Sequence, residues 1–445
     1  VLAIPALVAC SDRADPADAG GERLPNRPNV ILVLTDDQGY ADVGAFGARG
    51  FATPHLDRLA AEGVRFTNFY SAAPICSPSR AALMTGSHPV RVGITSVLFP
   101  DSSIGLNPDE VTIAELLKSV GYATAAVGKW HLGDDARFLP TRQGFDEFFG
   151  VLYSNDMAPL SLLENEETVE GAPPLSQLTK RYTERARDFV ARNRQNPFLL
   201  YVAHSMPHVP LAASDDFSGA SEQGPYGDAV MEIDWSIGQI LAALDELGLA
   251  DNTLVAFTSD NGPWLSYGSH AGSAGPLREG KQTTFEGGQR VPGILRWPAR
   301  VESGSVSTEI VTAMDLFPTI AATTGASLPE WTLDGRNILP LFKGAAIPSQ
   351  PVYFYLDTEL QAVRSGRWKL HFPHTYQSVV SPGVDGAAGV RESKDLPLSL
   401  FDLDADPGET TNLAAEYPAV VAELTNAATS FDTEVRLNAR PAGQR

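Results

Sequence analysis

The stretch NVILVLTDDQGYADVG, residues 29–44, begins as an unbroken apolar run and stops at the paired acids Asp36 and Asp37. Alternating apolar and polar residues would mark a strand with one wet face; a run that is apolar throughout marks a strand buried on both faces, as in a parallel sheet with helices on either side. Three more runs are built alike: YATAAVGK (122–129), FLLYVAHS (198–205) and TLVAFTSDNG (253–262), each ending in polar residues. Amphipathic segments lie between them. TPHLDRLAAEG (53–63) offers Thr53 as cap, Pro54 in the first turn and Gly63 as stop; DEVTIAELLKSVG (109–121) ends on Gly121; a longer segment runs from Tyr226 to Leu247. The alternation predicts an α/β fold, a doubly wound, mostly parallel sheet covered on both faces.

From about Gln350 the pattern changes to PVYFYL, QAVRSGRWKLHF and LSLFDL, short strand-like pieces divided by loops. They predict a smaller antiparallel C-terminal subdomain over 350–445, closed by a helix near Pro418 to Thr429, with the main domain at 28–349. Residues 1–10, VLAIPALVAC, read as an apolar signal remnant. Their Leu7-Val8-Ala9-Cys10 ending has the small residues of a lipoprotein cleavage box, with Cys10 as the lipidated residue; the plainer reading is an ordinary apolar terminus. Residues 11–27 are rich in Asp, Pro, Ala and Gly, as a flexible tether is. With 33 Lys and Arg against 54 Asp and Glu, the formal charge of -21 repels nucleic acid and anionic lipid, so an anionic substrate needs local cations to hold it.

In an open sheet of this kind ligands gather beyond the carboxyl ends of the strands, so Asp36, Asp37, Lys129, His131, His208, Asp260 and Asn261 are expected to share one site. The first two acids with Asp260 and Asn261 offer only oxygen, which suits a hard cation, Ca2+ ahead of Mg2+, better than zinc. Either pair alone reads equally well as a turn after a strand. Lys129 and His131 in GKWHLG, His208 in MPHVP and Lys281 in LREGKQTTFEGG make a set able to hold an anion and move protons. In APICSPSRAALMTG (73–86), Pro78 suits the first turn of a helix and Gly86 its end. That sets Cys76 at the positive end of the dipole, where a thiol is expected to be acidic or to face an anion; the plainer reading is a small buried thiol. Trp264, Tyr267 and His270 sit on a loop suited to stacking on a sugar or aryl ring. FDLDADPGE (401–409) superficially matches the start of a calcium loop, but the twelfth position, Leu413, lacks the required acid, and a strand followed by a turn is the better reading.

Together these residues resemble the sulfatase family, of the arylsulfatase A type. CSPSRAALMTG is similar to its Cys-x-Pro-Ser-Arg signature and GKWHLG to its second signature. LTDDQGYADVG, FTSDNGP and GKQTTFEGGQRVP are similar to its metal and anion motifs, in the same order, and the likeness runs from about Asn29 to Leu413, ending with LFDLDADPGETTNL. The resemblance implies an alkaline-phosphatase-like fold and a sulfuric ester hydrolase acting on an aryl sulfate or a sulfated sugar, galactose-type rings foremost. It implies that a formylglycine-generating enzyme converts Cys76 to formylglycine, whose hydrated aldehyde is the nucleophile. Asp36, Asp37, Asp260 and Asn261 match the calcium ligands, with residue 76 completing the shell. Arg80, Lys129 and Lys281 match groups that offset charge on the sulfuryl oxygens; His208, with Lys281, matches the group that protonates the departing oxygen, and His131 the base. Ser154, in LYSND, matches a sulfate contact, followed by Asn155 where the family pattern has histidine.

The rival reading is a phosphate mono- or diesterase, or a phosphonate monoester hydrolase, of the same superfamily; the single all-oxygen cation site and the Cys-x-Pro-Ser-Arg context favour sulfate. A catalytically silent glycan-binding protein would need a broken active-site set, and every position is filled. The lack of Asn-x-Ser/Thr and of a spare cysteine implies a bacterial envelope protein, periplasmic or lipid-anchored, that meets a membrane only through Cys10.

Overall fold

Along Asn29–Thr35 (β1) every residue is buried, and successive side chains serve opposite layers. Val30, Leu32 and Leu34 enter one apolar core, and Ile31 and Val33 enter another. A strand apolar on both faces has to be covered on both, and helices supply the cover. On the first side lie Cys76–Thr85 (α1), Ile113–Lys118 (α2) and Leu316–Thr324 (α3), through residues such as Leu83, Leu117 and Phe317. Pro54–Ala61, Leu175–Arg192 and Pro225–Glu246 cover the second side, through Leu59, Phe189 and Ile237. The computed structural model describes residues 27–445, so the expected lipidation residue Cys10 and most of the tether lie outside the described residues.

The central sheet has ten strands. After β1 these are Val64–Tyr70 (β2), Ala123–Lys129 (β3), Glu147–Val151 (β4), Ser161–Glu164 (β5), Glu167–Gly171 (β6), Phe198–Ala203 (β7), Thr253–Ser259 (β8), Gly293–Arg296 (β9) and Ser305–Thr312 (β10). Their spatial order is β10-β2-β9-β8-β1-β7-β3-β4-β5-β6. The middle run, β8-β1-β7-β3-β4, is parallel throughout, whereas β9 is antiparallel to both neighbours and β5 and β6 add an antiparallel edge. The expected doubly wound, mostly parallel sheet is present, larger than the four runs that announce it.

Val352–Leu356, Glu359–Ser365, Trp368–His371 and Ser399–Asp402 form a separate antiparallel sheet, and His374–Ser381 pairs with Val390–Leu396 as a hairpin. A helix over Pro418–Leu437 lies on that sheet, burying Leu424 and Ala428 against Val363, Leu370 and Leu400. It runs beyond the expected Thr429 because Val435 is still buried, packed with Val90 and Tyr355. The chain end then returns to the main body, where Gly443–Gln444 pairs with Ile104–Gly105. Among the described residues no helix is long and apolar enough to cross a membrane.

Candidate active site

Register delivers the acids. Strands β1 and β8 pair in parallel from Asn29 opposite Thr253 to Thr35 opposite Ser259, so the next residues, Asp36 and Asp260, leave the sheet side by side. The Asp37 amide donates to Asp260 Oδ1 at 3.2 Å, and Asn261 Nδ2 donates to Asp37 Oδ1 at 2.7 Å. Lys129 ends β3 immediately after Gly128, whose φ of 110° and whose approach to the Ala203 carbonyl, 1.9 Å from where a Cβ would stand, admit no side chain. That close passage lets the strand turn and send Lys129 Nζ to Asp36 and to Ser154 Oγ, the latter at 2.5 Å.

Helix α1 starts at Cys76 and ends at Gly86, a left-handed stop with φ of 64°. Cys76 and Arg80 are one turn apart and share a face. Arg80 Nε and NH2 reach Asp260 Oδ2 at 3.0 and 2.8 Å, and its NH1 donates to the Lys129 carbonyl at 2.9 Å. Lys281 Nζ lies 2.7 Å from one Asp37 oxygen and 2.8 Å from the other, and His208 Nε2 lies 3.6 Å from Asp37 Oδ2. All these residues are buried. One ligand atom from each of Asp36, Asp37, Cys76 and His208 falls within 4.8 Å of the others.

The charges explain the protonation states. Burial works to raise the Asp36 carboxyl, but Lys129, His208, Arg80 and Lys281 together hold it well below the usual carboxylate range. Burial pushes the Cys76 thiol up to about 12, against the pull of Lys129 and Lys281. This corrects the expectation of an acidic thiol: complete desolvation outweighs a short helix's dipole. His131 is driven far down by burial and by Lys129 and Arg80.

Two carbonyl contacts fix the histidine tautomers, because a carbonyl only accepts. His131 Nε2 meets the Leu98 carbonyl at 2.9 Å, so Nε2 carries the hydrogen and Nδ1, which is buried without a partner, keeps a free lone pair. His208 Nδ1 meets the Val209 carbonyl at 2.6 Å, which leaves Nε2 on the Asp37 side to gain or lose a proton. The residues expected from the sequence thus meet in one place. Asn155 replaces a histidine of the family pattern and has its own task, donating to the Ser205 and His208 carbonyls at 2.9 and 3.3 Å and bracing the loop that carries His208.

Asp36 Oδ1 and Asn261 Oδ1 are buried without any hydrogen-bond partner. Orphaned acceptors of this kind, beside further carboxylate oxygens, fit a hard cation. Trp264 lies over the site, its ring 5.4 Å from that of His208, with Lys281 Nζ 4.3 Å above it and Tyr267 edge-on at 4.8 Å. His270 is not part of this group and lies against Gly386 of the hairpin loop. Sequence reasoning missed Asp156, whose carboxylate is 4.0 Å from His208 Nδ1, and a buried ionic cluster behind Lys281; each joins segments far apart in the chain, which no local pattern records.

Carboxylates, buried cations and two histidines of opposite tautomer, gathered where the parallel strands of a doubly wound sheet end, describe a hydrolase of anionic esters. Comparison with known proteins makes the class specific: the profile described as Sulfatase matches residues 28–326, and that described as the C-terminal region of aryl-sulfatase matches 348–441. The chain belongs to the sulfatase family and is a sulfate ester hydrolase. It is 41% identical to arylsulfatase A of Bos taurus, covering 92% of this chain and 88% of that protein. It is 40% identical to N-acetylgalactosamine-6-sulfatase of Homo sapiens, covering 92% and 86%. The crystal structure of the PsFucS1 sulfatase from Pseudoalteromonas sp. matches with a TM-score of 0.84 and 29% identity, covering 94% of this chain and 92% of that one.

Proposed function

We propose that the protein hydrolyses a sulfate monoester of a sugar or aryl alcohol at a calcium-dependent site whose residue 76 has been converted from cysteine to formylglycine. The observation that carries this reading is the placement of Cys76: buried, at the start of α1, with its Sγ and an oxygen from each of Asp36 and Asp37 within 4.8 Å of one another. Asp36, Asp37, Asp260 and Asn261 would hold the calcium ion, which supplies charge to polarise the sulfuryl oxygens and to acidify the attacking group. The converted residue supplies a hydrated aldehyde, with one hydroxyl to attack sulfur and a second whose loss of a proton lets sulfate leave.

The remaining groups act around that centre. Lys129, Lys281 and Arg80 offset charge on the sulfuryl oxygens, with Ser154 Oγ, beside Lys129 Nζ, as a further sulfate contact. His208, when doubly protonated, gives its Nε2 proton to the departing alcohol oxygen and keeps the hydrogen on Nδ1, which goes on donating to the Val209 carbonyl. His131 takes up a proton at Nδ1, its ring held through Nε2 by Leu98, which is itself tied to Ser77 beside the nucleophile by a 3.1 Å bond from the Leu98 amide. Trp264 and Tyr267 stand on the leaving-group side, where an alcohol ring would stack.

Maturation requires a formylglycine-generating enzyme that reads the segment around Pro78 and Arg80. Residues 28–349 form the catalytic unit and 350–445 the smaller one. The N-terminal stretch with Cys10 and the absence of glycosylation sequons support a bacterial envelope location, periplasmic or lipid-anchored. The test is mass analysis of the peptide containing residue 76, from protein co-expressed with a formylglycine-generating enzyme, alongside turnover of 4-nitrophenyl sulfate by that protein and by Cys76→Ala. Conversion with turnover, both lost in Cys76→Ala, supports the mechanism; a fully active Cys76→Ala variant overturns it.

A further inference from the structure

The motif FDLDADPGE leads out of the strand Ser399–Asp402 into a turn, and its last residue, Glu409, does not reach solvent: it is 0% exposed. Its side chain swings back toward the main domain and meets the segment REGKQTTFEGGQR, residues 278–290, which carries Lys281. Glu409 Oε2 accepts the Glu286 amide at 2.7 Å, and the Glu409 carbonyl accepts Arg278 NH1 at 2.7 Å. One residue therefore holds both ends of the loop. The Arg278 carbonyl closes the loop on itself by accepting the Gly287 amide at 2.8 Å.

The loop needs such support. Glu279 and Gln282, on either side of Lys281, have φ of 55° and 70°, a left-handed backbone that residues with a Cβ keep only where their surroundings over-determine it. Within the loop the Lys281 and Gln282 amides donate to the Pro263 and Pro74 carbonyls, each at 2.9 Å, which links the loop to the segment entering Cys76. Glu409 is itself fixed from behind. His371 Nε2 and Lys369 Nζ reach its Oε1 at 2.8 and 3.2 Å, and Lys369 also reaches Glu286 Oε1 at 2.9 Å. Removing these charges from water is costly, and packing the same volume with apolar side chains would avoid that cost, so the cluster calls for a geometric role.

We propose that Glu409 is a positioning residue: through the Glu286 amide and Arg278 it sets the place of Lys281, so that the C-terminal sheet holds part of the anion clamp of the active site. The catalytic part of this inference rests on the sulfatase reading above; the structural part does not.

Two measurements on the calcium-loaded, converted full-length protein separate them. The first is hydrogen exchange of the amides over residues 279–287, which needs no turnover. Glu409→Gln keeps the shape but removes the charge, and exchange there is expected to rise about tenfold or more with the rest of the molecule unchanged. Unchanged exchange overturns the proposal. The second is a cycle with Lys281→Ala, read as kcat/KM for 4-nitrophenyl sulfate. Glu409→Gln is expected to lower kcat/KM about tenfold in the parent and less than about twofold in Lys281→Ala, because the group it positions is gone. Equal losses in both backgrounds overturn positioning and leave a general structural role. Arg278→Gln breaks the other anchor and is expected to give the same non-additive result, which keeps the test open if Glu409→Gln does not fold. Parent protein without turnover would overturn the sulfatase reading while the exchange result still judged the loop.

Discussion

Arg80 grips Asp260 with two nitrogens on one oxygen, Nε at 3.0 Å and NH2 at 2.8 Å from Oδ2, with both side chains shut off from solvent. The fork leaves Asp260 Oδ1 to the Asp37 amide and sets the angle at which the acid faces the site. Arg80→Lys keeps the charge and loses the fork. In protein verified for conversion at residue 76, its kcat/KM for an aryl sulfate is expected to fall by about 10²-fold, with a lower melting temperature, because a compact ammonium cannot satisfy the same buried oxygen. Steady-state kinetics and a thermal melt check this; near-parent activity would remove Arg80 from the site's geometry.

His208 offers its Nε2 to the leaving oxygen. His208→Gln is therefore expected to cost poor leaving groups about 10²-fold or more in kcat/KM and a 4-nitrophenolate leaving group much less, since the latter departs without a proton. A series of substituted phenyl sulfates measures this as a steeper dependence on leaving-group pKa. An unchanged slope would contradict the assignment.

Asp36 Oδ1 and Asn261 Oδ1 have no donors. A cation that satisfies them stabilises only the folded chain, by about 3 kcal/mol at a hundredfold excess over its dissociation constant. Chelation is expected to abolish turnover and lower the melting temperature, with calcium restoring both better than magnesium. Asp36→Asn should bind calcium more weakly and flatten the calcium dependence of the melt. A melting temperature indifferent to chelator and calcium would contradict the site.

Burial holds His88 down at about 4, where its ring packs edge-on against Tyr355 at 4.8 Å and Phe431 at 5.5 Å. His204, with neither ring nitrogen bonded, is likewise held at about 4 by burial. A histidine whose folded value lies below its unfolded 6.5 has no effect above pH 6.5. Between 6.5 and 4 the unfolded chain binds the proton first, so stability falls as pH falls, and below 4 the loss is complete. For His88 the full loss is on the order of 3 kcal/mol. The melting temperature of His88→Phe is expected to fall less between pH 7 and 4.5 than that of the parent. Parallel curves would show that His88 carries none of the dependence.

The parallel middle of the sheet is legible in the sequence because burial on both faces leaves continuous apolar runs; its flanks are not. VRFTNFY in β2 and SVSTEIVT in β10 carry polar residues that bond across the edge or meet the C-terminal sheet, as when Asn68 donates to the Thr308 carbonyl and Arg364 to Asn68. The acids of the site are legible for a related reason: Asp36, Asp37, Asp260 and Asn261 follow directly on strands and Cys76 starts a helix, so topology gathers them, whereas His208 and Lys281 sit on loops and are placed only by long-range contacts. The acidity of Cys76 is misjudged because exposure, which no local pattern states, decides it. Lys369, in the run WKLH, is 0% exposed, and the Glu286 and Glu409 that meet it arrive from remote segments that no local pattern connects to it.

The most direct test of the central claim is kcat/KM for an aryl sulfate and the matching aryl phosphate, measured on calcium-loaded protein co-expressed with a formylglycine-generating enzyme and verified for conversion at residue 76. Membership of the sulfatase family, together with the proposed formylglycine at residue 76, predicts a preference for sulfate of about 10²-fold or more. A preference for phosphate would keep the fold and the site but contradict the assignment of the reaction.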